Sequence, residues 1–112
     1  MEKKFVVDQK SLLGILASMQ PICTKRTAID ATSSILFFVG QKELVLKSTD
    51  LEISLQASCS LLKSDLDEPS IFLVSGKRIF EIVKELEGTI TFDLSSEQLS
   101  LTSGSVHLSL HI

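Results

Sequence analysis

Residues 34–57, SILFFVGQKELVLKSTDLEISLQA, lie without a gap on residues 89–112, TITFDLSSEQLSLTSGSVHLSLHI. An offset of 55 residues takes Ile35 to Ile90, Phe37 to Phe92, Leu44 to Leu99, Leu46 to Leu101 and Ser48 to Ser103. It carries on through Ser54 on Ser109 and Leu55 on Leu110, with Leu51 and Ile53 on Val106 and Leu108. Both stretches alternate apolar and polar residues, the period of strands with one buried face. Each therefore predicts three strands. In the first copy 34–39 is a strand, Gly40-Gln41-Lys42 a turn, and Leu44, Leu46, Leu51, Ile53 and Leu55 mark the rest. In the second copy the strands fall at 89–94, 97–102 and 105–112.

Upstream of each copy stands a strand followed by a helix. Phe5-Val6-Val7 leads to Asp8, placed as an N-cap, and Leu12, Leu13, Ile15, Leu16 and Met19 recur at helical spacing. Pro21 is expected to lie just beyond the end of that helix. Ile71–Val74 leads to Ser75, again a cap, and Ile79, Ile82, Val83 and Leu86 form one face of a second helix closed by Gly88. An offset of 67 lays Val7 on Val74, Asp8 on Ser75, Lys10 on Lys77 and Ile15 on Ile82. The chain is thus β-α-β-β-β written twice. This is an α+β architecture, expected to pack its two helices side by side with antiparallel sheets behind them. Residues 60–69, with Lys63, Asp65, Asp67, Glu68 and Pro69, read as a solvated loop between the copies.

The two offsets differ by 12, so the first copy carries about a dozen residues more between helix and strand. They fall at Gln20–Ser33, a stretch holding Cys23, Thr24, Lys25 and Arg26. A long connection where a short one suffices is a functional signal.

Composition narrows the function. With 112 residues the chain reads as one domain, and 44% hydrophobic content is enough for a packed core. Eleven Lys and Arg against fourteen Asp and Glu leave a net charge of −3, which excludes a wholly basic nucleic-acid-binding body but not a local basic patch. No apolar run approaches the ~20 residues of a membrane span, and no signal peptide opens the chain, so a cytoplasmic location is expected. Cys23 and Cys59 then read as reduced thiols.

No enzymatic constellation emerges. His107 and His111 stand four apart on an alternating strand, which separates them by about 13 Å and disfavours a shared metal. Asp50 and Glu52 share a strand face with nothing to build a pocket around them. No phosphate-binding glycine loop and no nucleophile elbow occurs, so neither cofactor nor metal is expected. What remains is charge. Lys25 and Arg26 form a cation pair on the extra stretch, Lys77 and Lys84 lie on the polar face of the second helix, and Lys10 stands with Ser11, Gly14 and Ser18 on the outer face of the first. A low, mildly basic helical surface suits contact with phosphates that does not read bases. The chain has no Trp or Tyr to stack on single strands.

The residues resemble the first domain of the bacterial DNA polymerase III β sliding clamp. Lys4-Phe5-Val6-Val7 and its capped helix resemble the family's opening, and Arg26-Thr27 leading to Ser34-Ile35-Leu36 resembles its arginine-bearing loop and next strand. Thr49-Asp50-Leu51-Glu52 resembles its Thr-Asp-Leu-Glu motif, residues 74–86 its second helix, and Ser103-Gly104 its final hairpin. Asp30-Ala31-Thr32 departs from the Pro-Ile-Leu that the family commonly carries after the arginine.

The resemblance implies the DNA-clamp fold, with residues 1–112 as the first of three domains. Two such chains would close a head-to-tail ring around double-stranded DNA and tether the replicative polymerase without chemistry of their own. Arg26 with Lys25 would touch DNA, Lys77, Lys84 and Lys10 would line the pore side, and Val106, Leu108 and Leu110, bordered by Arg78 and Leu86, would meet the partner subunit. Polymerase and clamp loader would bind through domains outside residues 1–112. The competing reading is an interaction module that docks a partner strand on an open sheet edge and has no DNA role. The last strand suits that too: residues 106–112 hold no Pro, Lys or acid to block edge pairing, and association between copies is expected there.

Overall fold

A computed structural model describes residues 3–23, 34–49 and 53–112. Strand β1 (Lys3–Asp8) leads into α1 (Gln9–Cys23). Strands β2 (Ser34–Val39), β3 (Glu43–Thr49) and β4 (Ser54–Ser60) follow, then the two-residue β5 (Lys63–Ser64). The second copy is β6 (Ser70–Ser75), α2 (Gly76–Val83), β7 (Thr89–Leu94), β8 (Gln98–Ser103) and β9 (Val106–His111).

These strands build two antiparallel sheets in the orders β5-β1-β7-β8-β9 and β4-β3-β2-β6. The leading strand of each copy has crossed over: β1 pairs with β7 from Lys3↔Leu94 to Asp8↔Thr89, and β6 pairs with β2 from Ser34↔Ser75 to Val39↔Ser70. The exchange is reciprocal, as a pseudo-two-fold between the copies requires. A stacked phenylalanine pair marks each junction, Phe5 on Phe92 with ring centroids 4.8 Å apart and Phe37 on Phe72 at 5.1 Å. One core fills the space between, and it includes Leu12, Leu16 and Met19 of α1 and Ile79 and Val83 of α2.

Several boundaries differ from the sequence reading. Helix α1 does not stop before Pro21 but contains it. Inside a helix a proline loses its own N–H bond and crowds the carbonyl four residues back, a cost of about 3 kcal/mol that packing has to offset. The buried stripe Leu12, Leu16, Met19 runs on to Ile22, which draws the helix past the exposed proline. Gln20–Cys23 are therefore helix rather than loop, and residues 24–33, with Lys25 and Arg26, lie outside the described residues.

Helix α2 ends earlier than expected. The N-cap is as read, with Ser75 Oγ accepting from the Arg78 N–H, but the last helical residue is Val83 and Lys84 is the C-cap. The Glu85 and Leu86 N–H groups donate to the Ile82 and Val83 carbonyls in tight turns. Gly88 then takes φ +71, a left-handed conformation that glycine adopts without a Cβ clash.

The gapless repeat breaks before its last strand. Leu46 faces Ala57 on β4, whereas its counterpart Leu101 faces Leu108 on β9. Ala57 is thus the structural equivalent of Leu108, and Cys59 of Leu110. Ser54 and Leu55 do not match Ser109 and Leu110, because the equivalent ladder partners Ser48 and Leu55 stand four residues further apart in the chain than Ser103 and Val106. An even slip leaves the alternation of faces unchanged, so periodicity could not reveal it.

Residues 60–69 are more than a solvated loop. β5 pairs with β1 through Phe5↔Ser64 and Val6↔Lys63, the Leu62 and Asp65 N–H groups donate to Val6 and Lys4 carbonyls at 2.8 Å, and Leu66 is buried. The segment covers the edge that β1 would otherwise expose.

Candidate nucleic-acid interface

The two helices pack directly on each other. Two glutamines set their antiparallel alignment. Gln9, buried at the start of α1, donates from Nε2 to the Val83 carbonyl at the end of α2 (3.0 Å), and its N–H donates to Gly88 (2.9 Å). Gln20, near the end of α1, donates from Nε2 to the Gly76 carbonyl at the start of α2 (3.1 Å). The Val83 carbonyl is among the last four of α2, which lack a partner four residues on, and it takes the Gln9 amide together with the Leu86 N–H. Asp8 caps α1 as expected, its Oδ2 accepting from the Ser11 N–H and hydroxyl at 3.1 Å.

This alignment sorts the candidate cations. Lys10 in the first turn of α1 and Lys84 at the C-cap of α2 fall at one end of the helix pair; Lys77 in the first turn of α2 falls at the other. All three are exposed. Lys84 Nζ sits 5.7 Å above the centre of the Phe80 ring, a cation–π contact that settles its stem on the helix. Gly14, Ala17 and Ser18 are exposed on α1, and the Ser18 hydroxyl is turned onto the Ile15 carbonyl (2.7 Å). The helical surface is therefore low and carries lysines at both ends. Glu81 and Glu85 interrupt it.

A second feature lies beside α2. Leu108 and Leu110 of β9 and Ile82 of α2 floor an open groove of about 670 Å³, rimmed by Arg78, Glu81 and Glu85. Of the interface candidates, Val106 is 44% exposed and Leu108 half-buried, while Leu110 at 6% shows the groove little more than one edge. Leu86 is a correction: α2 stops before it, the chain turns inward, and at 2% exposure it belongs to the core and offers nothing to a partner. Arg78 was placed near Leu108 and Leu110 only through the resemblance; their shared groove needs the fold. The glutamine ties and the Phe80 platform gave no signal that sequence reasoning used.

The soft ligands do not converge: among the described residues no three His, Cys, Asp or Glu side chains cluster as a metal site would require. His107 Nδ1 is 2.8 Å from the Thr102 hydroxyl across the β8–β9 hairpin. Cys59 is a free, half-buried thiol whose pKa is raised by burial first and then by the negative charges of Asp8 and Glu43. A raised thiol is a poorer nucleophile at neutral pH. Among the described residues no helix is long and apolar enough to cross a membrane.

Comparison with known proteins gives the family. The family model for the DNA polymerase III beta subunit, N-terminal domain, matches residues 3–112. The chain belongs to the β sliding clamp family. The Chlamydia pneumoniae beta sliding clamp is 31% identical over 104 residues, which is 91% of this chain and 28% of that protein. The Pseudomonas aeruginosa clamp is 27% identical over 97 residues, 87% of this chain and 26% of that protein. The fold agrees: a solved C. crescentus beta sliding clamp superposes with TM-score 0.86 at 22% identity, covering 98% of this chain and 30% of that one. A Helicobacter pylori beta clamp bound to a DNA ligase peptide gives 0.84 at 22% identity, covering 96% of this chain and 30% of that one. Sliding clamps are non-catalytic processivity factors. This chain spans less than a third of the length of these relatives.

Proposed function

We propose that residues 1–112 act as the first of three domains of a cytoplasmic clamp chain. Two such chains close head to tail around duplex DNA and hold the replicative polymerase on it. The observation that carries this reading is the family match across residues 3–112. In the ring, Lys10, Lys77 and Lys84, with Lys25 and Arg26, contact phosphates without reading bases. The β9 edge, with Val106 and Leu108 and the adjoining Arg78, meets a later domain of the partner chain. Peptide clients, of the kind the H. pylori structure holds, and the clamp loader engage parts of the longer protein outside this domain.

The test is made in the three-domain protein. Arg26→Ala is expected to weaken DNA contact about equally for all duplex sequences and to lower the salt slope by about 1. Sequence-selective binding would refute the reading. The second reading, an interaction module without a DNA role, draws on the groove beside α2 and the outermost position of β9 in its sheet. It predicts no salt-dependent DNA contact and no effect of Arg26→Ala.

A further inference from the structure

Strand β9 is the last strand of its sheet, and among the described residues nothing pairs with its outer side. The hydrogen-bond phase of that side follows from one contact. The Ile112 N–H donates to Glu97 across the β8–β9 ladder at 2.9 Å, in the register that pairs Leu110 with Leu99 and Leu108 with Leu101. Antiparallel pairs alternate between bonded and non-bonded. Leu110, Leu108 and Val106 therefore bond to β8, and the N–H and C=O groups of His107, Ser109 and His111 point outward. Those three side chains are exposed and none is Lys, Asp or Glu, so the edge has no charge gatekeeper.

The groove beside this edge has a charge order. Lys77 and Arg78 line it at the start of α2, while Glu81 and Glu85 line it toward and past the end. A dyad normal to the sheet would run two copies of β9 antiparallel and would also run two copies of α2 antiparallel. The basic start of each helix would then face the acidic end of the other. A surface with this order is complementary to itself.

We infer that the 112-residue chain forms a two-fold dimer of its own through β9, centred on Ser109. Only that centring pairs every outward group: Ser109 opposes Ser109 of the second copy, and His107 opposes His111 of the second copy. It also brings Leu108 against Leu110 of the second copy on the groove side, in a non-bonded pair where side chains approach closely. This goes beyond the ring, in which β9 meets a different domain, and it does not rest on the DNA reading.

Sedimentation equilibrium of the 112-residue chain tests it, with cross-linking to locate the dyad. Wild type is expected to show a reversible monomer–dimer equilibrium. Ser109→Pro should weaken it at least about tenfold while leaving the fold intact, because proline removes a donor that points away from β8. Arg78→Glu and Glu85→Arg should each weaken it by about fivefold or less per ion pair, and the double exchange should recover it. In a Cys23→Ser, Cys59→Ala background, Ser109→Cys should cross-link two copies on mild oxidation, since facing bonded residues lie ~5.5 Å apart at Cα. His107→Cys should not. A monomer at high concentration, equal association of Ser109→Pro, species larger than a dimer, or preferred cross-linking at 107 would overturn the proposal. Failure of the charge exchange to recover association would overturn the antiparallel placement of α2. A DNA-binding ring built from the longer chain would be untouched by each of these results.

Discussion

Substituting Phe92 by alanine tests the exchanged strands directly. Phe92 on β7 faces Phe5 on β1, both fully buried, with their rings 4.8 Å apart and within 8° of parallel. Truncating a buried phenylalanine costs about 3–5 kcal/mol in lost transfer energy and cavity. Stacking accounts for about 0.5–1.5 kcal/mol beyond burial, measurable as the coupling in a Phe5→Leu, Phe92→Leu double-mutant cycle. At ~0.05–0.15 kcal/mol per residue a domain of this size holds about 5–15 kcal/mol in all, so the single change removes a large fraction. With a urea dependence of about 2 kcal/mol/M, the midpoint should fall by about 2 M at unchanged slope. Phe37→Ala, at the equivalent junction in the other sheet, should do nearly the same. Each sheet holds strands from both copies, so neither copy can unfold alone. Circular dichroism followed across the urea transition should show one cooperative step for both variants. Two resolved transitions, or a loss below about 1 kcal/mol, would refute the reasoning.

Gln9→Leu should destabilise by about 0.5–1.5 kcal/mol in the same assay, because it removes the side-chain bond to the Val83 carbonyl, which keeps only the Leu86 N–H; a neutral result would show that the helix tie is dispensable. Gly104→Ala should cost about 1–2 kcal/mol at φ +59 in the β8–β9 turn, read as a lower thermal midpoint. In a Cys23→Ser background, iodoacetamide should label Cys59 more slowly than a model thiol near neutral pH, since burial and the Asp8 and Glu43 charges hold its pKa above 9.0. The same shift makes the folded state retain a proton that the unfolded chain releases. The stability it contributes is complete below about pH 9 and declines as pH rises through the folded value, an effect that Cys59→Ala should abolish.

The twofold β-α-β-β-β plan, the inward faces of β3, β7 and β8 and the caps at Asp8 and Ser75 were legible in the sequence, whereas Ile53, read with the alternating strand residues, lies outside β4 and is exposed. Each is written in a few neighbouring residues: alternation sets which side chains face inward, and an oxygen-bearing side chain before a helical stripe satisfies the first free N–H groups. The exposure of Lys10, Lys77 and Lys84 was legible for the same reason. The helix ends were less so, because the pull of Ile22 on α1 and of Leu86 at the end of α2 comes from a core assembled elsewhere in the chain.

Only the tertiary structure decided which strand pairs with which. The repeat alone suits two independent halves as well as it suits the exchange of β1 and β6, since pairing joins residues such as Phe5 and Phe92 that lie far apart in the chain. It also decided the register of β9, because an even slip keeps Leu108 and Leu110 on the inner face whichever residues they oppose. The groove that brings Arg78 and Glu85 beside Leu108 depends on both results. Local patterning records a residue's facing; its neighbour is chosen by long-range packing.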